Sequence, residues 1–216
     1  MKNSLLLTAL VLLAVAHPFF PDENLAHVVF LLTVSAVLVG AIWAASRQRR
    51  VLVASLSLAV PTFIAAWTQH FLELRWLTAV YLVLGVLFLG FTAVVVLRQT
   101  LGTAAVTTDT IAGAVCFYLL LSAIWALTYA LIELAHPGSF LDQGRPVGPA
   151  GHHTLVPELL YLSLVTLSTV GYGDILPVTK QARMLAALEG IIGPLYLAVL
   201  IARLVGLAAS RPSTNA

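Results

Sequence analysis

Six long apolar stretches, separated by short polar segments, constrain this chain more than any other feature. They run approximately from Ser4 to Phe20, Leu25 to Ala45, Val51 to Trp67, Trp76 to Leu97, Ile111 to Leu134 and Met184 to Leu207. Each approaches the roughly 20 apolar residues that a helix needs to cross the hydrocarbon layer of a bilayer. A shorter piece, Pro157 to Ser168, cannot reach across and reads as a re-entrant helix. Of the 216 residues 60% are hydrophobic and only 9% charged, with a mean hydropathy of +1.00. The fold class is therefore all-α integral membrane, with six transmembrane helices, because each helix satisfies its own backbone hydrogen bonds in lipid.

The first stretch is ambiguous, since Lys2, the apolar run that follows and the triplet Ala14, Val15, Ala16 also suit a cleavable signal peptide. With the first stretch retained, the basic residues place both termini in the cytoplasm. Lys2, Arg47, Arg49, Arg50, Arg98, Arg203 and Arg211 fall inside, and Arg75, Arg145, Lys180 and Arg183 outside. The net charge of +2 resides in these membrane loops and gives no reason to expect a nucleic-acid partner. The single cysteine, Cys116, lies within the fifth stretch and reads as core packing. Between Arg75 and Arg98 the fourth stretch carries no charge, so it lacks the arginine ladder of a voltage sensor.

One run between the fifth and sixth stretches reads Thr166, Leu167, Ser168, Thr169, Val170, Gly171, Tyr172, Gly173, Asp174. It resembles the selectivity filter of the potassium-channel pore-domain family. The resemblance extends over roughly Asp109 to Leu207, taking in Asp174, Pro177, Thr179 and Arg183 beyond the filter and Gly193 at a common hinge position. It implies a two-helix pore module behind four further helices, with domains at 1–108, 109–208 and a short cytoplasmic tail at 209–216. It implies K+ as the permeant ion, bound by Thr169, Val170, Gly171, Tyr172 and Gly173, with no other cofactor, no catalytic residue and no other metal. One filter per chain cannot enclose an axis, so the expected assembly is a homotetramer in the plasma membrane, in contact with lipid. Departures from the family pattern are Ala182, Ser168, Val165 and the pair Tyr161, Leu162, the last standing where some members carry two tryptophans.

The chemistry of the run agrees with this. A dehydrated cation needs oxygen ligands, and backbone carbonyls supply them without burying a full charge. Gly171 and Gly173 allow the backbone angles that turn successive carbonyls of Thr169, Val170, Gly171 and Tyr172 to one axis, and the Thr169 hydroxyl adds a further ligand. Val170 and Tyr172 are expected to point the other way, into the protein. Pro157 and Glu158 suit the first turn of the re-entrant helix, whose negative end then faces the pore.

Around the filter, Thr166, Asp174 and Glu189 are the expected supports. Glu189, an acidic group deep in a span, needs a partner, and the expected one is the re-entrant helix through Ser163 or Thr166. Gly190, Gly193 and Pro194 form a weak point in the last helix, either a gating hinge or a fixed kink. Below it, Leu197, Ile201 and Val205 recur at helical spacing as a possible hydrophobic gate, or as ordinary packing. The outer loop with Pro137, Gly138, Gly144, Pro146, Gly148 and Pro149 reads as a flexible turret, and His152 and His153 within it form no closed metal site. Two alternatives stand beside the potassium-selective reading. A nonselective cation channel would keep the motif in a looser pore. Gly171, Tyr172, Gly173, Asp174 also spells the signature of GxGD-type intramembrane aspartyl proteases, but that chemistry needs a second aspartate at the same depth.

Overall fold

The computed structural model describes residues 3–15, 19–20, 23–45, 49–72, 74–102, 107–147 and 155–209. Lys2, Arg47, Gly148, Pro149, His152, His153, Arg211 and most of the short tail lie outside the described residues. Among the described residues seven helices carry the fold: α1 (Asn3–Val15), α2 (Glu23–Ala45), α3 (Arg49–Leu72), α4 (Arg75–Gly102), α5 (Thr108–Ala135), α6 (Leu155–Leu167) and α7 (Lys180–Ala209). Three short strands accompany them: β1 (Phe140–Asp142), β2 (Arg145–Pro146) and β3 (Ile175–Pro177).

Helices α3, α4, α5 and α7 are long and apolar enough to cross a membrane, which makes this a helical membrane protein. Helix α1, at 13 residues, is about 20 Å long, and the described apolar part of α2 runs from Val28 to Trp43. Hydroxyls inside these helices return to the carbonyl one turn back, as Thr62 does to Leu58 at 2.7 Å and Thr92 to Phe88 at 2.9 Å. Each such bond gives a hydroxyl donor its acceptor inside an apolar layer. Helix α5 starts at a capping box, with the Thr110 amide donating to Thr107 Oγ1 at 3.2 Å and the Thr107 amide to Thr110 Oγ1 at 3.4 Å.

The first four helices lean on the later ones. Helix α4 packs along α5, α1 lies against α2 and α5, and α1 also touches α6. At Gly85 the α4–α5 approach is so close that a Cβ would stand 2.8 Å from Leu127 Cδ1. Two guanidiniums close the ends of this contact. Arg75 donates to the Leu134 carbonyl at 2.5 Å, and Arg203 of α7 donates to the Thr100 carbonyl at 2.9 Å and to that of Leu101. Each cation thus sits on the negative end of a neighbouring helix.

The helical class stands as expected, and to it the structure adds one small antiparallel sheet, ordered β2, β1, β3. It corrects one expectation. The outer loop is correspondingly no flexible turret over its described part: β1 pairs with β2, and on its other side with β3, which directly follows Asp174. The hairpin turns at Gln143 and Gly144, both with positive φ of 46° and 83°, as a two-residue turn between right-twisted strands requires. Pro146 and Pro177 fall on the two outer strands, where a missing donor is tolerated.

Candidate functional site

Helix α6 stops at Leu167, and the chain doubles back along its C-terminal end. The Ser168 amide donates to the Leu164 carbonyl at 3.0 Å, Thr169 to Thr166 at 3.0 Å, and Val170 and Gly171 both to Val165, at 3.0 and 3.3 Å. These bonds use the carbonyls that a helix C-terminus leaves unpaired. They also orient the segment, since amides turned toward the helix leave the carbonyls to face elsewhere. Positive φ recurs at every second position: 62° at Thr169, 58° at Gly171 and 78° at Gly173. The glycines take this region freely, whereas Thr169 is held there against its preference. Among the described residues nothing donates to the carbonyls of Thr169, Val170, Gly171 or Tyr172. Four oxygens in sequence are therefore open to a cation.

The side chains that alternate with the positive-φ positions find little cover among the described residues. Val170 is 53% and Tyr172 72% exposed. Within one chain's described residues, therefore, the side chains expected to point away from the axis into the protein are largely uncovered.

Behind the segment lies Glu189, fully buried on α7. Its carboxyl group joins the Tyr129 hydroxyl of α5 and the Ser163 hydroxyl of α6, so one residue ties together the three helices around the segment. Ser163 is the partner anticipated from the sequence, and Thr166 is not a second one. Thr166 serves through its backbone, as the acceptor for Thr169. Gly190, Gly193 and Pro194 all lie inside one continuous helix. Gly193 presses on the end of α6, where a Cβ would stand 3.0 Å from the Leu167 carbonyl carbon and 3.2 Å from its Cγ. At Gly190 the nearest atom to such a Cβ is Thr166 Cγ2, 3.9 Å away. Leu197, Ile201 and Val205 are exposed, as is most of α7 below Pro194.

In front of the segment, the Tyr161 hydroxyl donates to Asp174 Oδ2 at 2.5 Å, and Asp174 Oδ1 accepts from the Ile175 amide at 2.9 Å. Chiefly through the Tyr161 bond, Asp174 is held below the ordinary carboxylate range, while the same bond pushes the Tyr161 phenol up to about 12. The β1–β2 turn reaches the same place, with the Gln143 amide donating to the Asp174 carbonyl at 3.1 Å. The root of this hairpin is fixed by Glu133 at the end of α5, whose carboxylate accepts from the Gly138 amide at 2.6 Å and the Phe140 amide at 3.0 Å. Tyr161, Glu133 and Tyr129 were not singled out from the sequence as site residues. The position of Tyr161 among the departures was the one available signal.

Comparison with known proteins matches the part of the chain that carries this segment. Residues 105–209 match the family described as "Ion channel". The chain is 35% identical over 86 residues to the inward rectifier potassium channel Kirbac3.1 of Paramagnetospirillum magnetotacticum, which covers 38% of this chain and 24% of the relative. It is 33% identical over 76 residues to the potassium voltage-gated channel protein shk-1 of Caenorhabditis elegans, covering 35% and 14%. It is 35% identical over 71 residues to the two pore potassium channel c of Oryza sativa subsp. japonica, covering 33% and 14%. The chain thus spans about a quarter or less of the length of these relatives. No solved structure matches it. The matched family is one of channels and not of enzymes, which removes the protease alternative.

Proposed function

We propose, for a chain whose residues 105–209 belong to the potassium-channel pore-domain family, that four copies assemble around one axis and conduct K+ passively through the segment Thr169 to Gly173. The observation that carries this reading is the row of four carbonyls at Thr169, Val170, Gly171 and Tyr172, free of internal donors and set by alternating positive φ. Carbonyl dipoles replace the hydration shell of a cation, while Val170 and Tyr172 pack against the neighbouring subunit and fix the ring's diameter. The largely uncovered α7 supports the same assembly, because its exposed face then lines the axis or meets the adjacent copy.

In this assembly the chain crosses the plasma membrane six times, with both termini cytoplasmic. Residues 1–108 serve as a scaffold around the pore module at 109–208. Opening is not steeply voltage-dependent, since α4 has no charge between Arg75 and Arg98 and each charge moved through 100 mV supplies about 2.3 kcal/mol. Gly190, Gly193 and Pro194 mark the weak point of α7, as a gating hinge or as a fixed kink, and Leu197, Ile201 and Val205 narrow the inner mouth.

The test is the reversal potential of the purified protein in planar bilayers, with potassium on one side and sodium on the other. A value near the potassium equilibrium potential, lost on replacing Gly171 or Gly173 with alanine, is the expected result. Equal passage of sodium would replace this reading with the nonselective cation channel.

A further inference from the structure

Three oxygen–oxygen contacts meet around Glu189. The Tyr129 hydroxyl touches Oε2, the Ser163 hydroxyl touches Oε1, and the same Ser163 hydroxyl stands 2.9 Å from the Ser122 carbonyl oxygen. Each contact needs a hydrogen between its two oxygens, because facing lone pairs repel at such distances. Tyr129 and Ser163 bring one hydrogen each, and the Ser122 carbonyl brings none. The count is one short unless the carboxyl group supplies the third.

We propose that Glu189 is resident as a neutral carboxylic acid, and that its proton is the positioning element holding α6 behind the filter. The chain of donors then runs in one direction. The acid O–H donates to Ser163 Oγ, the Ser163 O–H donates to the Ser122 carbonyl, and the Tyr129 O–H donates to the remaining carboxyl oxygen.

The surroundings agree. Glu189 is fully buried, and the groups facing it are Tyr129, Tyr118 and Ser122 from α5 and Ser163 from α6. Among the described residues no Lys, Arg or His is bonded to it. The charged side chain nearest along α5 is Glu133, one turn beyond Tyr129, and its carboxylate is already engaged by the Gly138 and Phe140 amides. On α7 itself Arg183 stands six positions earlier. An ionised carboxylate here would be buried without a cation, the arrangement that membrane interiors penalise most. Removing the proton also leaves one oxygen pair with nothing between them. Helix α6 must then part from α5 or α7, and the carbonyls of Val165 and Thr166 that hold the filter amides move with it.

Infrared spectroscopy of the reconstituted protein at neutral pH tests the proton directly. The expected spectrum contains a protonated-carboxyl band, shifted by deuterium exchange and missing in Glu189→Gln; a parent spectrum identical to that of E189Q overturns the proposal. Should E189Q fail to assemble, Ser163→Ala takes its place, and a carboxyl band that does not move when its acceptor is removed overturns the proposal equally.

Potassium flux into liposomes is the second arm, and it alone rests on the channel function proposed above. The Gln amide donates to Ser163 and accepts from Tyr129 as the neutral acid does, so E189Q keeps parental flux at neutral pH. It also loses the parent's fall in flux on alkalinisation. Glu189→Leu, which leaves the hydroxyls unpaired, lowers flux about tenfold or more. An E189Q as impaired as E189L at neutral pH, or one that titrates like the parent, overturns the proposal. A protein that passes no potassium but shows the carboxyl band refutes the channel reading and leaves the protonated acid standing.

Discussion

Replacing Gly193 with alanine separates two roles for the glycines of α7. A hinge needs glycine for freedom; a contact needs it for the absence of a side chain. The added Cβ at 193 would stand 3.0 Å from the Leu167 carbonyl carbon, 3.2 Å from Leu167 Cγ and closer still to the carbonyl oxygen. Those carbonyl atoms belong to backbone, which cannot rotate out of the way. Overpacking of this kind costs about 1–3 kcal/mol, and the upper end applies here. Alanine returns about 1 kcal/mol through its helix propensity, leaving a net loss of about 2 kcal/mol. Gly190→Ala is the internal control, since its Cβ meets only Thr166 Cγ2 at 3.9 Å, an ordinary contact. It keeps the full helical gain of about 1 kcal/mol. The two variants therefore differ by about 3 kcal/mol in opposite directions. Thermal unfolding of the purified assembly reads this as about 2–4 °C per kcal/mol for a chain of this length. Potassium flux should fall in Gly193→Ala, because the displaced end of α6 carries the carbonyls that hold the filter amides. A G193A protein as stable as G190A, or a G190A protein destabilised as much as G193A, would refute contact packing and favour the hinge.

Other perturbations reach the filter from outside. Tyr161→Phe removes the donor to Asp174 and should speed the decay of potassium current during sustained opening; an unchanged time course would show that the bond is idle. The pH sign follows from the lowered Asp174. Its ionised form contributes stability that is complete above the ordinary value of 3.8 and is lost as external pH falls through the depressed folded value. In Tyr161→Phe that acid loss should move up toward 3.8 in external pH titrations of single-channel current. Glu133→Ala leaves the buried Phe140 amide and the half-buried Gly138 amide without their acceptor, at about 1–3 kcal/mol for a buried donor. Hydrogen exchange should rise from Phe140 to Val147 while α5 stays protected. Arg203→Gln strips the cation from the end of α4, worth up to about 2 kcal/mol in a partly buried setting. It should lower the unfolding temperature without altering ion selectivity.

What the sequence disclosed and what it withheld divide along physical lines. The conformation of the segment from Thr169 to Gly173 was legible because it is dictated by residue type at Gly171 and Gly173. The Glu189–Ser163 contact was legible because a carboxyl group inside an apolar helix must find a partner, and the re-entrant helix is the polar neighbour at that depth. Tyr129 was not, since a tyrosine in an apolar helix is accounted for by packing alone. The Tyr161–Asp174 bond spans 13 positions and forms only when the chain folds back on α6. The hairpin was misread through its composition. Prolines and glycines from 137 to 146 signal irregular chain, but Gln143–Gly144 also makes a tight turn and Pro146 is harmless on an outer strand. Pairing with β3 completes it, and β3 is too short to announce itself by alternation.

These contacts share a direction. The filter carries almost no packing of its own within the chain, so its shape is imposed by what surrounds it: Val165 and Thr166 carbonyls along its length, Tyr161 and the Gln143 amide at its outer end, Gly193 and Glu189 behind α6. The supports come from α6, from the β1–β2 hairpin and from α7. Gln143 belongs to a hairpin rooted in α5 through Glu133, and Glu189 binds α5 through Tyr129. Helix α5 is also the surface on which α4 and α1 lie, closed at its outer end by Arg75. A displacement of the first four helices therefore has one short route to the filter, through α5 and its two acidic anchors. Such a route needs no charge in α4. The prediction is that any effect of membrane tension on potassium flux is lost in Glu133→Ala; an effect of tension that survives in that variant would refute this route.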